Sequence, residues 1–165
     1  EQWCFKSLST ISAQALSTTD IASLEAKNIS YYTTVGSKAM VQGGKVSGGE
    51  WIDTIRFRDW LKSEIQSKVM NLFLGLPKVP FTDQGIALVQ NAVIDALEEG
   101  VRAGGIVQDA SSEDGEAEQS YTVTVPRAAD LDAATRKSRK LTGVTWTANL
   151  AGALIAAKIS GTLNY

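Results

Sequence analysis

Three carboxylates, Glu50, Asp53 and Asp59, are the residues of this chain whose spacing comes nearest to acid–base chemistry. Two carboxyls held about 5–10 Å apart in a cleft, one with a raised pKa, could hydrolyse a glycosidic bond. These three fall across the start of a helix, where acidic side chains complement the unpaired N–H groups, so their spacing fits capping better. A second chemical candidate is Gly44-Lys45 within a glycine-rich stretch. A phosphate-binding loop needs glycine, four residues, then Gly-Lys-Ser/Thr, whereas here position 39 is Ala and position 46 is Val. The hydroxyl that would hold Mg²⁺ is missing, so a hairpin loop is the better reading. Asn28-Ile29-Ser30 matches a glycosylation triplet, with no secretory signal to support it. Glu98-Glu99 and the acids of 109–118 read as solvated.

The absent residue types weigh more than these motifs. The chain has no histidine and one cysteine, Cys4. Ser-His-Asp and Cys-His nucleophilic sites and the usual zinc sites therefore drop out. An internal disulfide is impossible, and nothing points to an oxidising compartment. The sequence predicts no catalytic residues, no bound metal and no cofactor.

The elements that must position any site follow from composition and periodicity. A chain of 165 residues, 44% hydrophobic and 21% charged, suits one globular domain spanning 1–165. Sixteen basic and eighteen acidic residues give a net charge of −2, so no global field favours nucleic acid as a partner. No apolar run approaches the roughly 18 residues needed to cross a bilayer, and no membrane partner is expected. The first residues lack the pattern of a signal peptide. No initiator Met is present, so the chain is expected to be processed or cut from something longer.

Along the chain, 1–17 carries Trp3, Phe5, Leu8, Ile11 and Leu16 with no clear period. Thr18-Thr19-Asp20 offers caps to a short helix over about 20–27. Ile29 to Val35 and Lys38 to Gln42 read as strands joined at Gly36-Ser37. From about Trp51, Ile55, Trp60-Leu61, Ile65, Val69, Leu72-Phe73 and Leu76 recur at helical spacing until Gly75 and Pro77. Trp51 and Trp60 would stand roughly 180° apart on one helix, so Trp60 is expected in the core while Trp51 either precedes the helix or meets a partner. A second helix opens after Pro80 with Thr82 as N-cap, presents Ile86, Val89, Val93, Leu97 and Val101, and closes at Gly104-Gly105. Leu61, Ile65, Val69 and Leu72 are expected to pack against Ile86, Val89, Val93 and Leu97. A polar loop over 109–119 then carries Asp109, Glu113, Asp114, Glu116 and Glu118. A strand over Tyr121–Val125, a short helix near 130–139, and strands near Val144–Leu150 and Leu154–Asn164 complete an α+β chain. Its sheet is expected to be mixed, largely antiparallel, and packed against the two-helix pair, with terminal strands available for pairing between subunits.

Several segments together resemble the phage-type contractile tail sheath family. They are Ser47-Gly48-Gly49-Glu50-Trp51-Ile52-Asp53 with Ile55-Arg56 and Arg58-Asp59-Trp60-Leu61, then Lys78 to Ile86 between the helices, then Tyr121 to Pro126. Arg136, Arg139, Gly143 to Ala148, Leu150 to Ala153 and Ile159-Ser160-Gly161 match the family's end, and the resemblance is clearest over 30–165. It implies the C-terminal domain of a structural subunit that polymerises around a tail tube and slides on contraction. Terminal arms would add strands to neighbouring sheets. The implied partners are other copies of the chain and the tube protein, with baseplate and tail terminator proteins beyond them. The implied location is the virion tail, after synthesis in the host cytoplasm. The candidate shared strand comprises Leu154, Ile155, Lys158, Ile159 and Leu163, alternating between faces with few gatekeeping charges. Glu113, Asp114, Glu116 and Glu118, opposed to Arg127, Arg136, Lys137, Arg139 and Lys140, are the candidate electrostatic contacts. Two rival functions are a tail- or baseplate-associated, carboxylate-dependent glycan hydrolase and a peptide-binding module using an exposed sheet edge.

Overall fold

The computed structural model describes residues 2–108, 110–111, 117–118 and 120–156. It is an α+β chain that divides into two compact units, 1–56 with 152–165 and 57–151.

In the first unit, helix α1 (Thr18–Ala26) begins one residue earlier in its capping than Thr18 suggested. Ser17 accepts from the Asp20 amide, and the Asp20 carboxylate accepts the Ser17 N–H in return. This reciprocal pairing satisfies two N-terminal donors at once. Strands β1 (Tyr31–Val35) and β2 (Lys38–Gln42) pair antiparallel with Val35 opposite Lys38. The two-residue link has Gly36 at φ +62°, as a type II′ turn requires of its first residue. The preceding chain runs along both outer edges of this hairpin. Phe5 N–H donates to Val41 O and Val41 N–H to Lys6 O on one side, while Gln14 N–H donates to Tyr32 O on the other. Thr33, buried, seals the second contact by donating its hydroxyl to Gln14 O at 2.8 Å.

Helix α2 (Ile52–Gly75) starts after Trp51, which resolves the tryptophan problem: Trp51 precedes the helix and makes an isolated bridge with Lys45. Within the second unit, α2 buries only Leu61 fully. Helix α3 (Asp83–Arg102) buries a continuous face from Gly85 through Gly100, with Thr82 accepting from the Gly85 amide as the cap. Gly104, at φ +72°, turns the chain out of α3, and the Gly105 and Ile106 amides both close on Gly100 O. Ile106 thereby folds back into the core with Leu61, Val93 and Leu97, against which Phe57, Ile65 and Val69 pack. The expected helical hairpin is therefore present in part. Ile86 and Val89 are buried elsewhere on α3, Leu72 is only half-buried, and Ile106 supplies the contact the periodicity did not reveal.

The expected single sheet is instead a set of separate two-stranded antiparallel ladders. Short strands β3 (Ala110–Ser111) and β4 (Ala117–Glu118) pair within the segment read as a polar loop. Strand β5 (Tyr121–Thr124) pairs with β6 (Thr145–Ala148), placing Val123 opposite Trp146. Helix α4 (Ala133–Ser138) lies between them, after a 3₁₀ turn over Ala128–Asp130. The only parallel element among the described residues is the Gln14–Thr33 bridge. No helix among them is long and apolar enough to cross a membrane.

Candidate assembly surfaces

The three carboxylates lie at and beside the start of α2. The Asp53 carboxylate accepts the Thr54 N–H at 2.9 Å at the start of α2, and Asp59 is exposed on the same helix. Glu50 is engaged through its carbonyl, which accepts the Val46 N–H. Among the described residues, one surface concavity is lined by Glu25, and two others are lined by no carboxylate. Among the described residues, no group of three or more His, Cys, Asp or Glu side chains converges as a metal site would.

Gly44-Lys45 lies in a loop where Gly43 and Gly44 both adopt positive φ. The Lys45 ammonium sits 5.1 Å from the centre of the Trp51 ring, a cation–π contact that engages the charge a phosphate would need. Asn28, at φ +55°, follows α1 and donates its backbone N–H to Glu25 O. Glu25 also accepts the Tyr31 hydroxyl at 3.0 Å. Burial first, and then this carboxylate, hold the Tyr31 phenol above its ordinary pKa. Glu25, Asn28 and Lys45 line, with Cys4, Trp51 and Ile155, a concavity of about 310 Å³ in the first unit.

In the second unit, Arg127, Arg136, Lys137, Arg139 and Lys140 are all exposed. Arg136 and Lys137 stand in the last turn of α4, where cations complement the helix C-terminus, and Arg139 caps it in the left-handed region at φ +57°. No ion pair among the described residues joins these five to a carboxylate. Arg136 still acts on its surroundings: the Asp132 carboxyl is held below its ordinary pKa chiefly by the Thr135 amide, with a smaller contribution from Arg136. Asp83 does more than complement the start of α3, since its carboxylate accepts the Ala128 N–H at 2.7 Å and ties the 3₁₀ turn to that helix. Lys68 bridges Glu64 and Glu99, and Arg102 reaches Glu99 at 3.3 Å.

The other site candidates are placed unevenly. Glu113, Asp114 and Glu116 lie outside the described residues, and Glu118 falls in β4. Leu154 is 81% exposed and Ile155 half-buried, but 151–156 forms no strand, so the strand expected from Leu154 does not begin there. Lys158, Ile159 and Leu163 lie outside the described residues.

Trp60 corrects the expectation of a core tryptophan: it is 38% exposed and tilted against Phe57 at a centroid distance of 5.6 Å. It belongs to a feature that the sequence reading missed. Trp60, Ser63, Ser67, Met70 and Leu74 are all exposed, and they follow one another at intervals of three and four along α2. The signal was in the spacing, hidden because the opposite face of the same helix carries the core residues Leu61, Ile65 and Val69.

The chain superposes with a TM-score of 0.72 on a protein described as the anti-feeding prophage (AFP) helical sheath in contracted state, solved by cryo-electron microscopy. Identity is 15%, and the match covers 99% of this chain and 45% of the other, so the chain spans less than half of that protein. Residues 52–163 match the E217 tail sheath protein gp31-like C-terminal domain, and the chain belongs to that family. No curated protein matches it.

Proposed function

We propose that the chain is the C-terminal, polymer-forming part of a contractile tail sheath subunit, which packs with copies of itself around a tail tube and slides when the tail contracts. The observation that carries this reading is the family match across 52–163, which takes in α2, α3 and both strands of the β5–β6 ladder. The fold shared with a helical sheath supports self-association. The role is structural rather than catalytic, in the virion tail after synthesis in the host cytoplasm.

In this reading the five exposed cations from Arg127 to Lys140 face an acidic partner surface, on the tube or on a neighbouring subunit. The segment containing Leu154, Ile155, Lys158, Ile159 and Leu163 pairs with the sheet of another copy, as a sheet edge accepts an added strand. Baseplate and terminator proteins would meet the ends of the stack. Negative-stain microscopy of extended tails carrying a labelled chain tests the assignment. Label along the whole tail is expected, and label at one end alone would assign the chain to the baseplate instead. Ile159→Pro, which removes a ladder N–H, is expected to block incorporation into tails while α2 and α3 still fold. Normal incorporation of that variant would remove the shared strand from the proposal.

A further inference from the structure

Two concavities of the first unit adjoin at Tyr31. One, of about 310 Å³, holds Ile155 beside Cys4, Glu25 and Gln42. The other, of about 480 Å³, is lined by Trp3, Leu8, Tyr31, Tyr32 and Val41. Trp3 and Val41 are the chain neighbours of Cys4 and Gln42, and the Tyr31 hydroxyl donates to Glu25 at 3.0 Å. The Tyr32 hydroxyl is engaged as well, on Leu8 O at 3.3 Å. With both phenols occupied, the larger concavity offers ring faces and aliphatic groups to whatever enters it. One polar group there is unsatisfied. Gln2 also lines it, and its buried side-chain nitrogen has no hydrogen-bond partner among the described residues, a donor that a backbone carbonyl would satisfy.

The place where the described chain stops selects the occupant. Ile155 sits in the smaller concavity, and residues 157–165 continue from there. Ile159 is four residues past Ile155, a reach of about 13 Å in an extended chain and longer than the tyrosine side chain it must pass. Side chains four apart along such a chain share a face. Lys158 is the one charged residue of 157–165. Glu25, at the junction of the concavities, has no cation partner among the described residues. Lys158 lies between Ile155 and Ile159 in the chain as Glu25 lies between the two concavities in space. We infer that in the free subunit the segment 157–165 docks back on its own first unit, with Ile159 in the larger concavity and Lys158 at Glu25. Docking within one chain needs no second copy and stands apart from the sheath reading. Joined to that reading, it means that the segment must leave this seat before it pairs with another copy.

Carbodiimide coupling of the 165-residue chain at low micromolar concentration, read by mass spectrometry, tests this directly. A cross-link between Glu25 and Lys158 is expected. In an equal mixture of heavy-isotope-labelled and unlabelled chains, it should join peptides of the same isotope only. Tryptic cleavage after Lys158 gives a second readout. Leu8→Glu and Trp3→Ala, at side chains 39% and 54% exposed, should leave the circular dichroism unchanged. Each should speed release of 159–165 about tenfold, the first by placing a charge where Ile159 docks and the second by removing a wall. Cross-links of mixed isotope would assign the seat to the segment of another copy and overturn docking within one chain. Absence of the cross-link, or release at the same rate in both variants as in the unaltered chain, would overturn it too. Tails labelled along their whole length without such a cross-link would remove the docking alone and leave the sheath assignment standing.

Discussion

Gly105 and Phe57 compete for the same space: a methyl group added at Gly105 would overlap the Phe57 ring. The contact explains why the chain leaving α3 can fold flat onto the start of the core, where Phe57 packs and Ile106 is buried. It predicts that Gly105→Ala costs about 1–3 kcal/mol by overpacking, read from the urea midpoint. Phe57→Leu should recover part of that loss in the double variant, because neighbouring substitutions are not additive. Independent, additive effects would show that the two residues do not share this space.

Leu97 and Leu74 make a matched pair of probes. Leu97 is fully buried, and Leu97→Ala should destabilise the chain by about 2–5 kcal/mol through lost burial and a residual cavity. Leu74→Ala, on the exposed face of α2, should change the stability by no more than about 0.5 kcal/mol. Equal losses at the two positions would contradict the described orientation of α2.

The α3 cap is a third test. Thr82 is the side chain that accepts the Gly85 amide, and Gly85 itself has no room for a side chain because the Pro80 carbonyl lies against it. Thr82→Ala is expected to cost about 1 kcal/mol, and Thr82→Ser to restore most of it. Gly85→Ala should be the more damaging change, since the obstructing atom is backbone and cannot rotate away.

Acid should loosen the first unit at α1. The Asp20 carboxyl is held below its ordinary value of 3.8 by its hydrogen bonds to Ser17, first the hydroxyl and then the backbone N–H. A group whose pKa is depressed by folding stabilises the fold above its unfolded pKa, and that contribution disappears as the pH falls through the folded value. Helix α1 should therefore lose protection in amide exchange as the pH drops below about 3.8, and Asp20→Asn should flatten that dependence. An unaltered profile in the variant would place the acid sensitivity elsewhere.

The charged network on the helices is expected to contribute little. Lys68, Glu99 and Arg102 are partly or largely exposed, so Glu99→Gln should cost less than about 1 kcal/mol and lose its effect at high salt.

The parts of the fold legible in the sequence are those where side-chain pattern and backbone structure coincide. Helix α3 announces itself by Thr82, by apolar residues on one face and by Gly104, and the β1–β2 hairpin by β-branched residues around Gly36. The edges of that hairpin were not legible, because Phe5, Lys6 and Gln14 bind through backbone groups that any residue carries. The β3–β4 pairing is two residues long and too short to alternate visibly. On α2 the failure was one of superposition: core residues on one face and exposed Trp60, Met70 and Leu74 on the other read together as one apolar stripe, and Trp60 was assigned to the wrong face. Assembly residues were legible mainly through family resemblance, since a surface that meets another subunit carries no catalytic signature in one chain.

The segment that runs along Val41 and returns along Tyr32 also sets an order of events in folding. The two strands it grips are joined by a two-residue turn, so their pairing is local and fast. Its own contacts reach across much longer separations, 24 residues between Leu8 and Tyr32, and a loop of that length gains nothing until the ladder it docks on exists. The hairpin is therefore expected to form before the N-terminal segment closes over it. The same separation makes that segment's docking the costliest part of the first unit to close in loop entropy.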